Sequence, residues 1–254
     1  MNNFFLILIF AGTLLANETG REIAEKANAT QRNFIDEKVE TTMYLINANK
    51  DTVTRNLRNM TIERPNSEDY SIIQFLNPAD VRGTGLLTYQ NPAGDDKQWL
   101  YLPELRRVKK ISSKNKSGAF MGSEFAYEDI SGNTLDKFEY ELVSEEIYDG
   151  KDCYILQRTP VYENSGYLRI KTWYAKDSYL MLRSEYTDRK NSLLKVLTLK
   201  GWEKYPSGTW RASEMRMQNL QSGKVSILHF NDRQMKTGLQ VKDFNKRSLQ
   251  RILK

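Results

Sequence analysis

The chain carries one histidine, His229, and one cysteine, Cys153, so the residue types that most often build zinc sites and nucleophilic dyads occur once each. The usual His/Cys ligand sets for zinc are therefore out of reach. A thiol–imidazole dyad would require Cys153 and His229 to meet. Both fall in strand-like segments, where a lone cysteine is ordinarily a small buried hydrophobe. Asp95-Asp96 and Glu145-Glu146 could offer oxygen ligands to a hard cation, but adjacent acids in turns and strands are usually solvated surface. Arg82-Gly83-Thr84-Gly85 lacks the later Gly-Lys-Ser/Thr of a phosphate loop and reads as a β-turn. No constellation for hydrolysis emerges, so no enzymatic activity, metal or cofactor is expected.

The chemistry on offer is non-covalent, and it is concentrated between Asn77 and Ile130. From Lys97 to Ser117 seven basic residues stand against one acid, Glu104, which accounts for the whole net charge of +6. Arg106, Arg107, Lys109, Lys110, Lys114 and Lys116 thus form one basic surface rather than a generally basic protein. Three readings apply: a strand edge kept charged against aggregation, a docking patch for an acidic partner protein or anionic lipid head groups, or a nucleic-acid patch beside Trp99 and Tyr101. Nucleic acid is not expected as a partner if the chain is exported.

Just after the basic run come Phe120, Met121, Phe125 and Tyr127, apolar residues in a segment punctuated by Ser117-Gly118 and Gly122-Ser123. Such residues either fold back as a plug or act as a mobile lid over a pocket, repacking around a guest. On the lid reading, acidic residues at positions 120 and 121 are expected to leave folding intact and abolish lipid retention.

The elements that must position these groups are mostly strands. Glu18 to Phe34 places Ile23, Ala24, Ala27 and Phe34 near helical spacing, which predicts a short amphipathic helix. Val39 to Ile46 alternates, Asn47 to Asp51 supplies turn chemistry, and Thr52 to Ile62 returns, which predicts a long hairpin. Tyr70 to Leu76, Gly85 to Tyr89 and Gln98 to Leu102 extend the series. In the second half turn signals recur roughly every 14 to 17 residues, as expected of long antiparallel strands joined by tight turns. Asp149-Gly150 is the clearest of them. A closing helical turn is predicted within Phe244 to Leu253.

About ten strands in up-and-down order, with one dry face, predict a strongly curved antiparallel sheet wrapped toward a barrel. Alternation assigns Leu168, Ile170, Leu180, Leu182, Met215 and Met217 to the apolar inner face, because their neighbours carry the nearby charge. A register error of one residue would exchange the two faces.

Residues 1–16 read as a signal peptide: an apolar run from Phe4 to Leu15, too short for a membrane span of roughly 20 residues, ends in Ala16 before polar Asn17 and Glu18. Residues 17–254 are then expected as one exported domain, and 39% hydrophobic residues are enough for a sizeable core. A single cysteine excludes an intramolecular disulfide, and none follows the apolar run to take a lipid.

Three stretches in order, VRGTGLLTYQ, DDKQWLYLPELRRVKKISS and KSGAFMGSEFAYEDI, resemble the outer-membrane lipoprotein-sorting protein family, LolA/LolB-like periplasmic carriers. The resemblance implies a mainly β (α+β) fold, a half-open barrel with short helices over its mouth and an apolar cavity between. It also implies a periplasmic, non-enzymatic carrier of lipoprotein acyl chains or other lipids, served by an inner-membrane transporter or exporter and touching membranes transiently. A sensing accessory subunit of a membrane exporter or signalling protein is the alternative use of the same pocket. In either case Phe120, Met121 and Phe125 would roof the cavity.

Overall fold

A computed structural model describes residues 18–92, 94–132 and 134–251. The segment read as a signal peptide lies outside the described residues. Asp36–Ile46 (β1), Thr52–Ile62 (β2), Tyr70–Asn77 (β3), Gly85–Tyr89 (β4), Lys97–Leu102 (β5) and Arg107–Ile111 (β6) form the first half. Phe138–Tyr148 (β7), Lys151–Pro160 (β8), Tyr167–Ala175 (β9), Met181–Asp188 (β10), Leu193–Lys204 (β11), Trp210–Asn219 (β12) and Val225–Met235 (β13) form the second. All belong to one sheet in the order β6-β5-β4-β3-β2-β1-β13-β12-β11-β10-β9-β8-β7, and every neighbouring pair is antiparallel. The first and last strands meet at the centre, so the two free edges, β6 and β7, are consecutive in the chain. Residues 112–137 must therefore cross from one edge to the other.

The sheet is bent enough that distant strands share one core. Met43, Leu57, Phe75, Leu86 and Leu100 from β1 to β5 form a single buried cluster with Ile170, Tyr186, Leu197, Met217 and Leu228 from β9 to β13. Neighbouring strands lie about 4.8 Å apart, so a flat sheet of this width could not bring such residues together. The opposite, convex face of β2 to β6 carries Met60, Ile62, Ile72 and Leu87, covered by Phe244 and Leu249 of the C-terminal tail. The expected closing turn is Ser248–Gln250, preceded by a second single turn at Val241–Asp243; Ile252 and Leu253 lie outside the described residues.

The predicted N-terminal helix is shorter than its apolar spacing suggested. It runs Gly20–Ala29 (α1), capped by Thr19 with Glu22 in a reciprocal capping box. It cannot continue because Asn33 and Ile35 take positive φ angles of 76° and 66°. Ile23, Ala24 and Ala27 pack on Leu156 and Tyr174, and Tyr140 and Met181 touch both this cluster and the main core, so α1 covers the concave side. Gly20 permits the close approach: a Cβ there would stand 2.9 Å from the Leu142 backbone nitrogen.

Thirteen strands form where about ten were expected, because short strands such as β6 carry little apolar signal. Two bulges also break the predicted alternation. Tyr167 pairs with Asp188 and Arg169 with Thr187, which leaves Leu168 as the extra residue. Likewise Tyr174 pairs with Met181 and Trp173 with Arg183, leaving out Leu182.

Candidate functional site

The connection between the two free edges fills the mouth of the curved sheet. Ser113–Asn115 and Phe120–Gly122 are single 3-10 turns, and Tyr127–Ile130 (α2) is one helical turn. The backbone closes on itself through Phe120 N–H to the Phe125 carbonyl at 2.7 Å, Ser123 N–H to the Phe120 carbonyl at 2.9 Å and Tyr127 N–H to the Gly118 carbonyl at 3.1 Å. This small knuckle drives Phe120 and Phe125 into the concave core, where both are fully buried. The Phe120 ring lies 5.8 Å from Phe75 and 5.5 Å from Tyr127. Met121 is half-buried against the same cluster with φ 49°, and its carbonyl accepts from Arg55 Nη1 at 2.5 Å.

The other half of the connection is held by charge. Glu128 accepts from the Tyr162 hydroxyl at 2.7 Å, the Ser165 hydroxyl at 3.0 Å and the Gly166 N–H at 2.9 Å. Position 166 must be glycine, since a Cβ there would stand 2.7 Å from Ser117 Cβ. Burial pushes the Glu128 carboxyl above its ordinary range, against the opposing pull of these hydrogen bonds. Asp129 accepts from the Tyr167 hydroxyl at 2.8 Å and forms an ion pair with Lys195 at 2.6 Å. Lys195 also donates to the Glu124 carbonyl at 2.9 Å. Tyr162, Tyr167 and Tyr186 are all pushed well above the ordinary tyrosine value, by burial first and by the nearby carboxylates second.

One further charge faces the same interior. Arg158 on β8 stands opposite Tyr140 of β7 and Ile170 of β9, both of them concave-face residues. It is 2% exposed, its guanidinium lies 5.2 Å from the Phe138 ring centre, and Nε and Nη2 donate to no acceptor among the described residues. Outside, a cleft of about 630 Å³ lined by Ser117, Gly166, Tyr167, Arg189, Leu194 and Lys195, among others, reaches the Lys195 end of this arrangement.

The residues singled out from sequence separate into groups. Phe120, Phe125, Ile170 and Met217 share the concave core, with Met121 and Met215 packed against it. Leu168, at its bulge, is half-buried. Leu180 is buried at the β9–β10 turn, where its carbonyl accepts the Ala175 N–H. Leu182 packs with Cys153, Ile155 and Trp173, on the face opposite Ile170, because the bulge turns it over. Arg106, Arg107, Lys109, Lys110 and Lys114 are exposed on and around the edge strand β6. Lys116 is not part of that surface: it is 4% exposed, 3.4 Å from Asp95, and burial lowers its pKa. Cys153 and His229 lie on β8 and β13, with four strands between them, so they form no dyad.

Sequence reasoning missed Glu128, Asp129, Arg158 and Lys195. Period two held the signal for the cations: Arg158 follows Leu156 on one face of β8, and Lys195 precedes Leu197 and Leu199 on one face of β11. A charge in line with core residues marks an inward-facing ion.

A family model described as an uncharacterized protein matches residues 67–251. No curated protein matches the chain. Among solved structures, a domain from Vibrio parahaemolyticus named for a proposed role in outer-membrane lipoprotein sorting is 41% identical, with TM-score 0.89 over 91% of this chain and 98% of that one. A DUF1329 family protein from Desulfovibrio piger is 32% identical, with TM-score 0.85 over 91% of this chain and 98% of that one. A LolA superfamily protein from Nitrosomonas europaea, 20% identical with TM-score 0.75 over 91% of this chain and all of that one, shares the fold. At the identity and coverage of the Vibrio structure, the chain belongs to the outer-membrane lipoprotein-sorting protein family, and its open antiparallel sheet has the fold of the Nitrosomonas LolA superfamily protein.

Proposed function

We propose that the protein is a non-enzymatic periplasmic carrier, which holds the acyl chains of a lipoprotein or another lipid against the concave face of its sheet and moves them between membranes. The observation that carries this reading is the connection across the mouth. Phe120 and Phe125 occupy the concave face from a segment that lies between the two free edges, so they can leave it without unpairing a single strand of the sheet. The structure is then the closed form, with a built-in apolar group standing where a guest would go. The Vibrio relative's name, which refers to lipoprotein sorting, points the same way.

The magnitudes allow such an exchange. Exposing two phenylalanines costs about 3–6 kcal/mol, whereas burying an acyl chain of about 14 methylenes gains roughly 11 kcal/mol at ~0.8 kcal/mol each. One long chain therefore outweighs the two rings, and the contacts that tie α2 to the sheet set the rest of the cost. Release needs help of comparable size, and the exposed basic edge around β6 is the docking surface for the acidic partner, an inner-membrane exporter or the membrane itself, that would supply it.

Mass spectrometry of organic extracts from natively purified protein tests the reading: lipid in amounts comparable to protein supports it, and an extract no richer than a control's contradicts it. Transfer of the guest to acceptor vesicles then distinguishes a carrier from a sensor that keeps its ligand.

A further inference from the structure

Arg158 is a deeply buried guanidinium without a counter-ion, in an interior where Arg55 Nε, Lys116 Nζ and Gln98 Oε1 also lack a hydrogen-bond partner among the described residues. Of the other cations on this side of the sheet, Lys195 has a counter-ion in Asp129 and Arg55 donates to the Met121 carbonyl; Lys137, beneath the connection, has Asp96 at 2.5 Å. Among the described residues no carboxylate lies within 4.0 Å of the Arg158 guanidinium, and two of its nitrogens are buried without an acceptor. A guanidinium cannot shed its proton to escape this cost. It keeps its charge, surrounded by Phe138 and by the tyrosines Tyr140, Tyr162, Tyr174 and Tyr186.

The two cations belong to one region. They stand in one row across the sheet, Arg158 opposite Ile170, Ile170 opposite Tyr186 and Tyr186 opposite Lys195, and the Tyr186 ring lies 5.3 Å from Lys195 Nζ. In the closed form the negative charge of this region, Glu128 and Asp129, comes entirely from α2, which is part of the connection. If the connection moves out to admit a guest, the carboxylates leave with it. Lys195 then joins Arg158 as a second cation without a partner, facing an apolar cavity. An uncharged guest would strand Lys195 as well as Arg158, and the newly unpaired Lys195 opposes opening; an anionic guest replaces what α2 removes.

We infer that the cargo is an anionic amphiphile, whose carboxylate or phosphate head is held by Arg158 and Lys195 while its chain replaces Phe120 and Phe125. This rests on the carrier reading and narrows it to a chemical class. Arginine suits the task because its planar fork pairs both oxygens of a carboxylate or phosphate. The cleft bordered by Tyr167 and Lys195 is lined by Arg189, Lys190 and Lys195 against one carboxylate, Asp188, which gives the head a net basic approach.

The test compares ligands of one chain length on the unaltered protein by titration calorimetry: laurate, dodecyl phosphate and dodecanol, with inorganic phosphate as the free anion. Binding of laurate or dodecyl phosphate at least tenfold tighter than dodecanol is expected, with no heat from inorganic phosphate at the same concentrations. Arg158→Met and Arg158→Gln are expected to lose the preference for the anions over dodecanol, with circular dichroism spectra of both variants showing that they fold. Arg158→Lys keeps part of it. Without ligand, Arg158→Met is expected to melt higher than the unaltered protein, since it removes an unpaired buried charge; a structural arginine would melt lower.

Equal binding of laurate and dodecanol overturns the inference and leaves the carrier intact. Binding of neither overturns both. An anion preference that survives Arg158→Met, or inorganic phosphate binding as tightly as dodecyl phosphate, removes Arg158 as the anchor of a lipid head.

Discussion

Lys195 and Asp129 join the connection to the sheet through an ion pair of 2.6 Å whose side chains are only 4% and 7% exposed. Asp129 brings the charge from α2 and Lys195 from β11, so the pair acts as a latch between the plug and the wall. Breaking one partner leaves the other charged and buried. Asp129→Asn is expected to destabilise the protein by about 3–5 kcal/mol, whereas replacing both residues, Asp129→Asn with Lys195→Met, recovers much of the loss. Urea unfolding of the four species of the cycle measures this; a double-variant loss equal to the sum of the two single losses would show that the pair does not act as a unit.

Glu128 makes the latch sensitive to pH. Burial raises its carboxyl above the ordinary 4.5, so the folded protein binds this proton more tightly than the unfolded chain does. Its contribution to stability is full below the ordinary value and declines as pH rises through the raised one. The stability difference between the unaltered protein and Glu128→Gln is therefore expected to shift against the unaltered protein as pH increases from about 4.5. Denaturation profiles of both proteins across that range check this, and a difference that stays constant with pH would contradict it.

Phe120 holds the closed form together and does not tolerate an acidic side chain. Fully buried against Phe75 and Tyr127, it is worth about 3–5 kcal/mol when cut to alanine. The expectation that Phe120→Asp with Met121→Asp leaves folding intact is therefore replaced by its opposite for Phe120. Met121→Asp alone, at a half-buried position, is expected to cost less and is the better probe of lipid retention. Melting curves of the two single variants decide the order.

The basic residues divide by burial. Reversing Arg106, Arg107, Lys109 and Lys110 to glutamate is expected to leave stability nearly unchanged and to weaken association with anionic vesicles, an effect that fades as salt rises. Lys116→Glu is expected to do the reverse, unfolding the protein at lower temperature because its neighbours are the half-buried Asp95 and the buried Asp96. Vesicle co-sedimentation at two salt concentrations, with melting curves, separates the two classes.

Much of the fold was legible because strands announce themselves by alternation and their ends by turn chemistry: β2 and β4 begin at Thr52 and Gly85 as read, and β1 ends at Ile46 as read but begins at Asp36, three residues before Val39. The inner face was legible at Ile170 and Met217 and misleading at Leu182, because period two carries no mark of a bulge. Lys116 looked like its neighbours because charge composition does not report burial. That β6 and β7 are free edges, and that residues 112–137 bridge them, depends on the pairing of β1 with β13. Such a contact spans nearly the whole chain and leaves no local trace. The resemblance to the sorting family supplied the barrel; the occupied interior came from the structure.

The central claim is that the knuckle carrying Phe120 and Phe125 yields its place to lipid. Hydrogen exchange at the amides of Phe120, Ser123 and Tyr127, bonded in the closed form to the carbonyls of Phe125, Phe120 and Gly118, reads this directly. With a bound fatty acid these three amides are expected to lose protection while those of β1 and β13 keep theirs. Bound fatty acid with all three amides protected as before would contradict the account.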